Sequence, residues 1–147
     1  MRRYSNLSLT LVSCLMFFLV VNTSCGKGGD PAPTPTPTPV EVDLAVTTTP
    51  TVNSNQAPAA LGTGLPVAVT ITSTVPTGGV KIDVTAKLET GSSNFFTGGT
   101  ASTTTAANNY NITNIPAGGA ACVCSITVTS IAKPTNVWTG TFRFANK

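Results

Sequence analysis

The chain has 147 residues, of which 41% are hydrophobic and only 9% are charged, and its formal net charge is +3. The sequence contains no histidine, which excludes Ser-His-Asp triads, histidine general bases and histidine-ligated metals. So few charges also argue against a nucleic-acid-binding protein, because such a protein needs a basic surface to displace counterions.

The chain begins with a short basic segment followed by an apolar one. Arg2 and Arg3 precede a largely apolar run from Leu7 to Val21. A basic start and an apolar stretch of about 7–15 residues are typical of a secretory signal peptide. A membrane-spanning helix needs about 20 apolar residues, so this run is too short for one. We therefore predict that residues 1–24 are a signal peptide rather than a buried helix.

The sequence directly after this run resembles the cleavage site of bacterial lipoproteins. Asn22–Ser24 lead into Cys25, with asparagine at the position where that family usually has leucine. The resemblance implies that Cys25 becomes the first mature residue and carries acyl chains such as palmitate. Cys14 is an alternative site, but cleavage there would leave the apolar tail Leu15–Val21 on the mature chain. We expect a lipid anchor in the outer membrane of the cell envelope, facing either the periplasm or the cell surface.

A proline-rich segment follows the predicted lipidation site. Proline occupies every second position from Pro31 to Pro39, which prevents both helix formation and strand pairing. Such a sequence favours an extended polyproline II rod of about 3.1 Å per residue. We interpret residues 25–39 as the lipidated cysteine and a Pro/Thr-rich disordered spacer, with a reach on the order of 40 Å.

From Val40 onward, apolar and polar residues alternate, as expected for strands with one buried and one solvated face. The clear runs are Val40–Val46, Leu65–Thr72, Val80–Glu89, Cys122–Thr129 and Trp138–Phe144, and weaker ones are Asn94–Thr97, Ser102–Thr105 and Tyr110–Ile115. The turn signals are Pro76–Gly79, Gly98-Gly99, Pro116–Gly119 and Lys133–Asn136. The pattern predicts an all-β fold, a single immunoglobulin-like antiparallel β-sandwich of about seven strands over residues 40–147.

One segment also carries a family resemblance. Tyr110–Gly118 reads aromatic-x-apolar-x-x-apolar-Pro-Ala-Gly before a predicted strand. This order resembles the corner before the sixth strand of bacterial immunoglobulin-like and fibronectin-type-III modules. The resemblance implies the same sandwich fold, although Cys122 and Cys124 stand where those modules have tyrosine.

Cys122 and Cys124 form an unusual pair separated by one residue. On a regular strand, residues i and i+2 point to the same face with Cα atoms about 6.6–6.8 Å apart, near the upper limit for a disulfide. Three interpretations remain open: two buried free thiols, a strained local disulfide, or a redox or metal site. Two sulfurs alone leave a zinc site two ligands short, so we expect no metal.

Four aromatic residues are candidates for ligand contact. Phe95 and Phe96 are adjacent, so on a regular strand one of them faces away from the core. Tyr110 and Trp138 are candidates for a sugar-stacking platform. The alternative for Trp138 is a core position beside Phe142 and Phe144, and for the two adjacent phenylalanines it is packing at a sheet edge.

The acidic residues do not suggest an enzyme. Asp83 and Glu89 alternate with lysines on a predicted solvated strand face, where cross-strand pairing is their ordinary role. We expect no catalytic residues and no cofactor. The sequence favours a lipid-anchored envelope protein that presents a non-catalytic module for structural or adhesive contact with envelope proteins or glycans. The alternative is a carbohydrate-binding accessory lipoprotein of a glycan-uptake system.

Overall fold

The structure is a computed structural model that describes residues 40–53, 59–60 and 64–146. The predicted signal peptide, the lipidation site at Cys25 and the proline-rich spacer lie outside the described residues. The described part of the chain contains strands and no helix. The strands are β1 (Val46–Thr49), β2 (Ala59–Ala60), β3 (Gly64–Ile71), β4 (Val80–Leu88), β5 (Asn94–Thr103), β6 (Ala107–Thr113), β7 (Ala121–Ser130) and β8 (Val137–Asn146).

The strands form two sheets that pack face to face. The smaller sheet has the order β1-β3-β6, and the larger has the order β2-β8-β7-β4-β5. All pairs are antiparallel except the two-residue β2, which runs parallel to β8. The chain changes sheet after β1, β2, β3, β5 and β6, whereas β4-β5 and β7-β8 are hairpins within the larger sheet. This arrangement confirms the predicted all-β, immunoglobulin-like sandwich architecture.

The core lies between the inward faces of the two sheets. Apolar side chains alternate with polar ones along β3, β4 and β7, and the apolar set is almost completely shielded from solvent. Small and β-branched residues dominate, with Phe142 and Phe144 as the large members on β8. Burial of these side chains supplies the main favourable term in folding, at about 25 cal/mol per Å² of apolar surface.

Most predicted strands are confirmed, and two weak runs belong to one strand. The runs beginning at Leu65, Val80, Cys122 and Trp138 correspond to β3, β4, β7 and β8. The separate runs predicted at residues 94–97 and 102–105 merge into the ten-residue β5, which ends at Thr103.

The predicted turn at Gly98-Gly99 is wrong, because both glycines lie inside β5. Gly99 has a φ of +148°, and a Cβ atom built there would lie 2.1 Å from the carbonyl oxygen of Ile82 on β4. Glycine therefore serves a close approach of two strand backbones here, not a reversal of the chain.

The predicted strand at Val40–Val46 is also wrong over most of its length, because β1 begins only at Val46. Leu44 is buried, but Val40 and Val42 are exposed. The backbone of residues 42–44 bonds to a side chain instead of a neighbouring strand: the Leu44 amide donates to Oδ1 of Asn136 at 2.9 Å. Alternation alone does not distinguish these two ways of satisfying a backbone.

Candidate contact surface

Both adjacent phenylalanines face the interior because β5 contains a bulge. Ala86 of β4 pairs with Phe96, whereas the next residue, Lys87, pairs with Asn94, so Phe95 is an extra residue in its strand. A bulge re-aims side chains in this way. Both rings are half-buried against the core, and Phe95 meets Phe144 edge to face with ring centroids 6.4 Å apart. The expectation that one ring faces away from the core is therefore wrong.

Tyr110 and Trp138 are also half-buried against the core. The Tyr110 hydroxyl lies 2.9 Å from Oγ1 of Thr100, which links the β6 edge of one sheet to the β5 edge of the other. The Trp138 ring fills the space that a side chain at Gly140 would occupy, since a Cβ there would lie 2.6 Å from Cη2 of the indole. Trp138 thus packs beside the phenylalanines of β8.

The four candidate aromatic residues do not form one exposed platform. Phe95 and Phe96 lie on β5, at one edge of the larger sheet, and Trp138 lies on β8, with β4 and β7 between these two strands. Tyr110 belongs to the other sheet. Each ring turns inward and closes the core at a different point on the rim of the sandwich.

Cys122 and Cys124 are free thiols and are fully buried on the inward face of β7. The pairing of β7 with both β4 and β8 continues through these residues without a register shift. A regular strand holds the two Cα atoms too far apart for an unstrained disulfide. The Cys122 thiol donates to the Ala120 carbonyl at 3.4 Å. Burial raises the pKa of Cys124 to about 12 and also raises the pKa of Cys122.

We expect neither thiol to react with a thiol reagent in the folded Cys25→Ser mature chain, and both to react after unfolding without reductant. A chain that yields no free thiol after unfolding would contain the disulfide instead.

The raised pKa values also predict loss of stability at alkaline pH. Unfolded thiols ionise near their ordinary value of 9.0, whereas the folded thiols keep their protons, so stability falls as the pH rises above about 9. Urea unfolding at about pH 8 and pH 10 measures this loss. Between these two pH values, the free energy of unfolding of a Cys122→Ala/Cys124→Ala variant is expected to fall less than that of the parent.

The outer face of the larger sheet carries many hydroxyl groups. The strand register places Thr97, Thr85, Ser125 and Thr141 side by side across β5, β4, β7 and β8. Neighbouring strands lie about 4.8 Å apart, so these hydroxyls form a regular row. A second row runs through Asp83, Thr127 and Thr139. We call these two rows the hydroxyl face.

Four of the five charged side chains on this face form two pairs, and the fifth, Lys87, lies on the outward face of β4 in neither pair. Lys81 Nζ lies 2.9 Å from Asp83 Oδ2, and Arg143 donates through Nε and Nη2 to Glu89 Oε1 at 2.7 Å each. These side chains are solvated, so the pairs add little stability. Their main effect is to offset most of the charge on this face, so that Lys87 is the charge that neither pair offsets. An array of hydroxyl donors and acceptors with little net charge suits polar, uncharged partners better than polyanions.

Sequence reasoning missed the hydroxyl face because it depends on strand register. The outward threonines and serine are visible as the polar members of each alternating run. Which of them become neighbours is decided by the order β5-β4-β7-β8 and by the pairing of Thr85 with Ser125. Alternation gives the face of each residue but not its cross-strand partner.

Among the described residues, no group of three His, Cys, Asp or Glu side chains is arranged to hold a metal ion. Within the same part of the chain, no helix is long and apolar enough to cross a membrane. Compared with known proteins, the chain matches no family model, no curated protein and no solved structure.

Proposed function

We propose that this protein is a lipid-anchored protein of the bacterial outer membrane whose sandwich domain is a non-catalytic contact module. The observation that carries the proposal is the hydroxyl face, which lies on the five-stranded sheet. The anchor is proposed from Cys25 and its flanking residues, and the spacer from the alternating prolines before Pro39. The partner of the module is an envelope protein or a glycan, and the domain faces the periplasm or the cell surface.

Rows of hydroxyl groups suit a binding surface because each hydroxyl makes a weak hydrogen bond and the contributions of many such bonds add over the interface. Each exposed threonine or serine hydroxyl both donates and accepts a hydrogen bond. The β-branched threonines favour the strand and stiffen its surface, so little side-chain entropy is lost on contact. The domain thus offers a preorganised polar surface on its larger sheet.

The Cys25→Ser variant tests the anchor. We expect it to leave the membrane fraction and to lose incorporation of radiolabelled palmitate, because two or more acyl chains are needed for stable membrane attachment. Cys14→Ser is the matched control and is expected to behave like the parent. Firm membrane association of Cys25→Ser would contradict the anchor, and loss of labelling in Cys14→Ser alone would move it to that residue.

The Ser125→Arg variant tests the hydroxyl face. The arginine places a long charged side chain in the middle of the first hydroxyl row, so we expect weaker saturable binding to isolated envelopes. Thr47→Arg, at an exposed position of β1 on the other sheet, is the control. Equal binding by both variants and the parent would contradict a contact role for this face.

A carbohydrate-binding accessory role is the second candidate. It is favoured by a shallow cavity of about 240 Å³ on the smaller sheet, which is lined in part by Thr49, Asn109 and Tyr110. The hydroxyl of Thr49 and the side-chain amide of Asn109 match the hydrogen-bond donors and acceptors of sugars. A glycan array with the parent and with Asn109→Ala would test this role, and the absence of any signal from the parent would contradict it.

A further inference from the structure

The chain enters the sandwich through residues 41–44, which are held by one side chain. The Leu44 amide donates to Oδ1 of Asn136 at 2.9 Å, and Nδ2 of Asn136 donates to the Val42 carbonyl at 2.9 Å. These two backbone groups flank Asp43 and are the groups that one residue of a parallel neighbouring strand would engage. The side-chain amide of Asn136 therefore takes the place of a missing strand.

A second layer of contacts holds Glu41. Its Oε1 accepts from Nδ2 of Asn136 at 2.6 Å, and its Oε2 accepts from the hydroxyl of Ser130 at 3.0 Å. The same hydroxyl accepts from the Lys133 amide at 3.1 Å. Ser130 is fully buried and Asn136 is 5% exposed. We call Glu41, Ser130 and Asn136, with the backbone of residues 42–44, the clamp.

The clamp is attached to the end of β7, the central strand of the larger sheet, and to the loop that leads from it to β8. The Asn136 carbonyl accepts from the Ser130 amide at 3.0 Å, and its amide donates to the Lys133 carbonyl at 2.8 Å. Ser130 ends β7, which pairs on both sides, with β4 and β8. By contrast, the first strand reached by the chain, β1, has four residues and pairs only with β3.

We propose that the clamp is a mechanical latch that protects the domain against tension arriving through the N-terminal spacer. A pull on Val40 meets Glu41, Val42 and Leu44 before it reaches β1. The clamp passes that force to the β7-β8 hairpin, where long ladders share it, instead of peeling a four-residue edge strand. The source of tension rests on the proposed function, in which an anchored module contacts a partner.

The composition of the clamp fits this role. Apolar residues at these positions would bury more surface, but their contacts slide and are not directional. Asn136 instead makes hydrogen bonds to two backbone groups and to a carboxylate, and hydrogen bonds to charged groups are among the stronger ones. Their cost of burial is met because each polar atom named here has a partner.

Mechanical unfolding of the mature, unacylated chain tests the latch. The Cys25 thiol and a C-terminal tag serve as handles, because the other two thiols of the mature chain are buried. We expect one rupture for the parent. Asn136→Ala is expected to add an early, low-force step that releases residues 40–45, about 20 Å of chain. In the same variant, hydrogen exchange of the Leu44 amide is expected to accelerate by about tenfold or more.

A second variant, Glu41→Ala, tests the latch even where Asn136→Ala does not fold. Glu41→Ala removes only the hydrogen bonds of the Glu41 carboxylate and is expected to lower the rupture force. Glu89→Ala, which removes an exposed carboxylate paired with Arg143, is the control and is expected to rupture like the parent. Parent-like rupture of both clamp variants would overturn the latch. The measurement does not depend on acylation, so failure of the membrane anchor at Cys25 would leave its result standing.

Discussion

Replacing Phe144 by alanine is expected to lower the free energy of unfolding by about 3–5 kcal/mol. The Phe144 ring is 1% exposed and lies between two other rings, with its centroid 6.4 Å from that of Phe95 and 5.9 Å from that of Phe142. Truncation removes the largest fully buried side chain among the described residues and leaves a cavity that two sheets held by their hydrogen-bond ladders cannot close. Domains of this size are stable by about 5–15 kcal/mol, so the variant would be marginal.

Urea unfolding followed by far-UV circular dichroism measures this loss. Phe96→Ala is the matched control, because its ring is only half-buried and lies at a sheet edge. We expect the control to lose clearly less stability than Phe144→Ala. Equal losses in the two variants would show that the ring cluster on β8 is not the centre of the core.

Replacing Gly99 by alanine is expected to cost about 2–5 kcal/mol, for two separate reasons. Its φ of +148° is a conformation that L side chains rarely adopt. The added Cβ would also lie 2.1 Å from the Ile82 carbonyl oxygen, a backbone atom fixed in the β4-β5 ladder. Neither strain is relieved by a side-chain rotation, so the two strands must separate locally.

The neighbouring Gly98 provides the control for this prediction. Its backbone has no positive φ, and an added Cβ would meet the end of the Phe96 ring at 2.8 Å, which a small movement of the half-buried ring relieves. We expect Gly98→Ala to be distinctly less destabilising in thermal and urea unfolding. A larger loss for Gly98→Ala than for Gly99→Ala would contradict the close-approach explanation.

The architecture could be predicted from the sequence because most strands have one solvent-exposed and one buried face. The alternations around Val84 and Ile126 report burial directly, and burial is what a two-layer fold requires. The errors share a cause. They concern residues that act through backbone geometry or through a single long-range contact: Gly99, Phe95 and Asn136. Neither kind of feature produces a periodic pattern of polar and apolar residues in the sequence.

The candidate site was less accessible than the fold. Four aromatic residues are candidates for ligand contact from the sequence, but all of them pack against the core: Phe95, Phe96, Tyr110 and Trp138. The hydroxyl face consists of residues that look ordinary one at a time and become a surface only when four strands are aligned. Such a surface requires the register and not merely the strands.

The two unpaired sulfurs of β7 have a consequence for how the domain matures. Cys122 and Cys124 contribute as small apolar groups, so folding of the sandwich requires no oxidation step and no disulfide isomerase. The domain is therefore expected to reach the same state in a reducing and in an oxidising compartment. Under the proposed function, which includes export, this means that folding inside the cell competes with translocation, because the domain needs no oxidant to fold.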